Sequence, residues 1–211
     1  METKNVNSLA LSYIKGLKKA YAEVGGKDVW QNLETVAFGA NEQDIQELKE
    51  IYPEVPDSLI GLLKLIDGTY FREYEGDEIT MYFLGSDVED GEYPYYLLSA
   101  KEIVKNKNIA YEYYADYVNR VCEEDDVIMD DRIINDAERM NWLHFSDCMN
   151  NGGTSQLFID FSPSEEGVKG QIIRFLHDPD EMKVIADSFD EYLKMLMDNE
   201  YAFINENSID E

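Results

Sequence analysis

Few residues in this chain could do chemistry by themselves, and their spacing narrows what that chemistry would be. There are two histidines, His144 and His177, and two cysteines, Cys122 and Cys148. The cysteines lack metal-ligand spacing and allow one bridge at most. Two reduced thiols in a cytosolic protein are the expected state. Each histidine falls in an apolar run, where a structural role is expected. No Ser-His-Asp order, P-loop or GxGxxG occurs. One constellation looks catalytic: Asp160 followed by Glu181-Met182-Lys183, an acid then Glu-x-Lys pattern of the kind metal-dependent nucleases use. Cleavage would need those side chains to converge on a divalent ion. The sequence instead places Glu181 and Lys183 in the first turn of a helix, with Glu181 completing a capping box. Asp160 reads as a loop brace that accepts backbone N–H groups from the loop running to Gly170. Gly152, Gly153, Gly167 and Gly170 read as turn glycines, since no helix N-terminus follows them closely enough to cradle phosphate. Asp87-Val88-Glu89-Asp90-Gly91 lacks the distal glutamate of a calcium loop. No catalytic residue, metal site or cofactor is assigned.

What the chain has in excess is carboxylate. Its 45 acidic residues against 18 basic ones give a formal charge of −27 over 211 residues. Such a field repels phosphate backbones, which argues against direct nucleic-acid binding. Taken alone the acidity secures solubility, and it would also steer a basic partner into contact. The acid is concentrated in Asp87, Glu89, Asp90 and Glu92, and in the run Glu123-Glu124-Asp125-Asp126-Val127-Ile128-Met129-Asp130-Asp131. This run reads as an exposed loop. Hydrophobic content of 44% with 12% aromatics nonetheless supports a sizeable core. The N-terminus lacks a signal-peptide run, and no stretch of about 18 apolar residues spans a membrane, so a soluble, cytoplasmic protein is expected.

The elements that position these residues follow from periodicity. Ser8–Val24 reads as a helix with Leu9, Tyr13, Leu17, Ala20, Tyr21 and Val24 on one side, ended by Gly25-Gly26. Trp30, Leu33 and Val36 read as a short helix or a lid. Asn41 caps a helix carrying Ile45, Leu48 and Ile51, and Ser58–Ile66 forms another, closed by Gly68. Thr69–Tyr74 and Ile79–Leu84 read as strands around Glu75-Gly76-Asp77, and Tyr95–Leu98 as a further strand. Ser99 with Glu102 opens a long helix from Ala100 to Val121, with Tyr111, Tyr114, Tyr117 and Val118 toward the core. Ile133–Met140 reads as a short helix. Trp142 onward gives a strand, the Asn150-Asn151-Gly152-Gly153 turn, a strand at Leu157–Phe161 and a strand at Ile172–Leu176. Asp178-Pro179 then opens a helix whose stripe is Ile185, Phe189, Tyr192, Leu193 and Leu196. Residues 198–211 read as a polar tail that frays.

Two blocks of this order resemble a known family. The first holds Asn41…Ile45…Leu48, then Val55-Pro56-Asp57-Ser58-Leu59 and Ile66-Asp67-Gly68. The second holds Trp142-Leu143-His144-Phe145, Asn151-Gly152-Gly153, Phe158-Ile159-Asp160-Phe161, Ser162-Pro163, Gly167, Gly170-Gln171-Ile172-Ile173, His177-Asp178 and Ala186-Asp187-Ser188-Phe189. Order and spacing over roughly residues 30–197 are similar to the SUKH superfamily, the Smi/Knr-type domain. The chain departs from the family pattern with Val55-Pro56 in place of Leu-Pro, and with a longer, more acidic segment near 106–141. The resemblance implies an α+β fold, with a twisted, mainly antiparallel sheet flanked by helices. Residues 1–29 would add a helix packed on a single 30–197 domain, with 198–211 as the tail. It further implies a binding protein without catalytic residues: in bacteria an immunity protein that neutralises a cognate toxin, in fungi a cell-wall regulator or scaffold. A toxin partner with a basic surface, a nuclease for instance, would meet Asp87, Glu89, Asp90, Glu92, Glu123, Glu124, Asp125 and Asp126. Tyr93, Tyr95 or Tyr96 would serve as exposed aromatic anchors.

Overall fold

A computed structural model of the chain describes residues 8–88, 94–121, 127–148, 155–177 and 179–209. Helix α1 (Ser8–Glu23) buries Ala10, Tyr13, Leu17, Ala20 and Tyr21 on the expected stripe. Gly25, at φ +93°, turns the chain out of it. α2 (Lys27–Val36) inserts Trp30 and Leu33, so those residues lie on a helix rather than a lid. α3 (Glu42–Ile51) starts where Asn41 accepts the Asp44 N–H at 2.9 Å. α4 (Asp57–Leu63) is buried at every position from Ser58 to Leu63. It ends three residues earlier than its apolar pattern suggested. The chain then passes through Asp67 and Gly68 into a small hairpin, β1 (Arg72–Tyr74) and β2 (Asp77–Ile79). Glu75 and Gly76 both take positive φ, the twist a two-residue hairpin turn requires.

The main sheet has six strands in the order β3-β5-β6-β7-β8-β4. These are β3 (Tyr96–Leu97), β4 (Ile128–Met129), β5 (Trp142–Cys148), β6 (Ser155–Asp160), β7 (Gln171–Leu176) and β8 (Glu181–Ala186). All neighbours are antiparallel except β4, which runs parallel to β8. Both edge strands, β3 and β4, are only two residues long. Strands β5 and β6 are buried at every position, so both faces of the sheet are covered. On one face Leu143, Phe145, Leu157, Ile159 and Ile172 pack with α1, α4 and the C-terminal α7 (Phe189–Asp198). On the other, Trp142, Phe158, Ile173, Phe175, Met182 and Val184 pack under α6 (Ile109–Val118). This is the α+β arrangement expected.

Three local expectations are corrected. The long helix from Ala100 to Val121 is two helices, α5 (Ala100–Lys105) and α6. The Ser99–Glu102 capping box is present, but Asn106-Lys107-Asn108 breaks the run. Ala100 and Ile103 belong to the first core, whereas Ala110, Tyr114 and Val118 belong to the second. A straight helix could not serve both faces of the sheet. Next, Glu181–Ala186 is a strand rather than helix: Met182 and Val184 are buried and alternate with exposed or half-buried neighbours. The turn containing Pro179 and Asp180 is a β7–β8 connection, and α7 starts at Ser188, whose side chain accepts the Glu191 N–H at 3.2 Å. Asp178, expected as the cap, lies outside the described residues. The third correction concerns the tail, which packs rather than frays: Tyr201, Phe203 and Ile204 are buried, and Ile209 packs against the core. The Tyr201 hydroxyl donates to the Tyr13 carbonyl at 2.9 Å. It passes so close to α1 that a Cβ on Gly16 would stand 2.1 Å from it.

Candidate functional site

Strand register defines one end of the sheet as a gathering point. Tyr96 lies opposite Asp147, Ser155 opposite Cys148, Leu176 opposite Glu181, and Glu181 opposite Ile128. The described residues next to four stretches outside the description therefore share this end: Pro94, Val127, Cys148 with Ser155, and His177. Glu89, Asp90, Glu92 and Tyr93, and likewise Cys122, Glu123, Glu124, Asp125 and Asp126, lie outside the described residues. So do Asn150, Asn151, Gly152 and Gly153.

Asp87, the remaining predicted acidic residue, is described, and it faces inward. Its carboxylate takes the Arg174 Nε at 2.6 Å and the Lys183 Nζ at 2.6 Å. Arg174 also reaches Glu181 Oε2 at 2.5 Å. The Arg174 side chain is only 3% exposed, set in β7 between Leu157 on β6 and Lys183 on β8. Burial pushes the Asp87 carboxyl up, but hydrogen bonds from Lys183 and Arg174 outweigh it and hold the group below the usual aspartate range. Burial works against the Arg174 charge as well, and its two carboxylate partners more than restore it. Asp87 thus ties the chain to the sheet just ahead of Glu89, a role composition could not reveal. Tyr192 adds a second tie, its hydroxyl donating to the Gly85 carbonyl at 2.6 Å.

The opposite face carries a second polar chain at this end. The Tyr114 hydroxyl donates to Gln156 at 2.6 Å, and Gln156 donates to Asp147 at 2.8 Å. His144, fully buried, sits 3.2 Å from Asp147, with Asn106 at 3.3 Å from its other ring nitrogen. Nearby, Asp180 accepts from the Tyr117 hydroxyl at 2.5 Å and lies 2.8 Å from His177 Nδ1. His144 stands on a strand as expected, and His177 follows one, in the β7–β8 turn. Tyr95 and Tyr96 are buried, which removes them as exposed anchors: their backbones lie within or beside β3, and their rings turn into the molecule. Among the described residues the exposed tyrosines are Tyr111 and Tyr113 on α6, the latter 68% exposed. Tyr111 was expected in the core; it instead donates to Glu138 at 2.9 Å.

The nuclease-like triplet does not converge. Asp160 pairs with Gln171 at one end of β7, and Glu181 pairs with Leu176 at the other. Five strand residues separate them, about 17 Å. Asp160 also lies on the α6 face, with Trp142 and Phe158, whereas Glu181 and Lys183 alternate with Met182 and Val184 and point the other way. Asp160 accepts the Ser162 N–H at 2.7 Å and Gln171 Nε2 at 2.9 Å, while its carbonyl accepts the Gly170 N–H at 2.7 Å. Burial raises its pKa, and those hydrogen bonds pull the other way. Asp67 is a similar joint: it accepts the Ala100 N–H at 2.9 Å and an Arg72 nitrogen at 2.7 Å. Gly68, at φ +92°, lies so close to Ser99 that a Cβ would stand 2.7 Å from its nitrogen. Both motifs that carried the resemblance are thus joints of the fold. Among the described residues no three His, Cys, Asp or Glu side chains gather as metal ligands, and no helix is long and apolar enough to cross a membrane.

The family model described as SMI1 / KNR4 family (SUKH-1) matches residues 39–195. No curated protein matches the chain.

Proposed function

The chain belongs to the SMI1 / KNR4 family (SUKH-1), and from that premise we propose that it is an immunity protein, binding a cognate toxin and blocking its active site. It acts by stoichiometric occupancy, without turnover. The reading is carried by one observation: the described brackets of the most acidic segments meet at one end of the sheet, where Asp87 is clamped by Arg174 and Lys183. The clamp fixes Asp87, which Glu89, Asp90 and Glu92 follow in the sequence, and the reading assigns those three carboxylates to the partner together with Glu123, Glu124, Asp125 and Asp126. A toxin that holds phosphate has a basic groove, and such a cluster would fill it in place of the substrate.

The test is co-expression of this chain with the open reading frames flanking its gene, scored as rescue from growth arrest. Rescue by the wild type, reduced when Glu123–Asp126 are changed to Asn and Gln, is the expected result. A regulatory scaffold of the Smi/Knr type, the other role the family allows, predicts that the chain rescues no growth arrest caused by a neighbouring frame.

A further inference from the structure

Phe71 is the most unusual exposed residue described. The residue is 50% exposed and its backbone sits at φ +43°, a conformation bulky side chains avoid. The ring is also held in place. Phe71 packs on Tyr70 at 5.1 Å, Tyr70 on Tyr96 at 4.9 Å, and Tyr96 on Tyr82 at 4.8 Å, with Tyr82 and Tyr96 buried. Phe71 is therefore the outward end of a four-ring ladder rooted at the edge strand β3. A ring fixed in this way loses little conformational freedom when something covers it.

The surroundings specify what that cover would be. The β1–β2 hairpin follows Phe71 directly and exposes Glu73, Glu75, Asp77 and Glu78. Glu73 lies directly opposite Glu78 in the ladder, a like-charge pair that costs stability. The hairpin's one basic residue, Arg72, is bound to Asp67 at 2.7 Å and lies over the Tyr74 ring. No cation within the hairpin answers the four carboxylates.

We infer that Phe71 is an anchor for a protein partner that presents an apolar pocket rimmed by lysine or arginine, the hairpin carboxylates meeting that rim. This rests on the immunity reading: the partner is the toxin, and the ladder extends its contact from the acidic sheet end around the β3 edge. Backbone strain at Phe71 is the cost of presenting its ring.

The probe is the toxin domain recovered by growth rescue, inactivated at its own active site, with affinity measured by interferometry. Phe71→Ser is expected to weaken binding by about tenfold or more, mainly through faster dissociation, with an unchanged or raised thermal midpoint. Phe71→Gly should weaken binding equally and raise the midpoint, because glycine accepts φ +43° without steric cost. Glu78→Lys should slow association and flatten its salt dependence. Wild-type affinity in both Phe71 variants overturns the anchor and leaves the immunity reading standing. A lowered midpoint in Phe71→Gly overturns it too, since the ring would then serve the fold. If no flanking frame yields a toxin that the wild type binds, the immunity reading itself falls, and the anchor with it.

Discussion

Arg174 is the charge on which the acidic end of the sheet depends. Its guanidinium lies in β7 among apolar neighbours and bridges Asp87 to Glu181. Arg174→Met keeps the volume but leaves both carboxylates without their buried counter-charge. It should cost about 3–5 kcal/mol, read from urea unfolding midpoints at constant m. The same pairing sets an acid response. The folded pKa of Asp87 is depressed below the unfolded value of about 3.9. Its stabilisation is therefore complete above that value and lost as pH falls through the folded one. Asp130, which burial raises but Arg132 hydrogen bonds lower further, behaves alike. Asp87→Asn should flatten the loss of stability below about pH 4, measured by pH-dependent denaturation. Residue types alone hid this: Ile172–Leu176 reads as an apolar run, and the arginine inside it passes as an incident. A lone charge within a buried strand demands a partner, and that demand was the available signal. The partner sits 87 residues away, which no local pattern encodes.

At the scale of elements, the stretch after β7 shows how local signals compete with the sheet. Asp178-Pro179 with Glu181 has the chemistry of a helix start, yet Glu181–Ala186 completes a ladder with β7 from Leu176 to Ile172. Paired strand hydrogen bonds and a buried Met182–Val184 face outweigh a cap. The correct start was also written in the chain, as Ser188-Phe189-Asp190-Glu191, a Ser-x-x-Glu signature ten residues after Asp178. Ser188→Ala should destabilise the protein by about 1 kcal/mol, while Pro179→Ala should leave the helical circular dichroism of α7 unchanged. Elements whose apolar stripe and cap agree, such as α1 and α3, were legible. The α5–α6 break was not, because it depends on which face of the sheet each half covers. The site was legible only as composition: the acidic runs stand out, but the shared end of the described residues that flank them follows from strand register, which periodicity does not fix.

For the whole molecule, a net charge of −27 acts twice. It repels itself within the fold, so added salt should stabilise the chain; screening worth about 1 kcal/mol would lift the thermal midpoint by about 2–4 °C. Under the proposed function it would also attract a basic toxin from a distance, so the same salt should slow that association. Calorimetry and stopped-flow mixing over one sodium chloride series should show these opposite trends. The sheet's borders add something further. Because β3 and β4 are two residues each, the long inner ladders end without an open row of backbone donors and acceptors. Edge-to-edge pairing between crowded copies is disfavoured at these borders, and under the proposed function that would let the chain accumulate in excess of a toxin before meeting it.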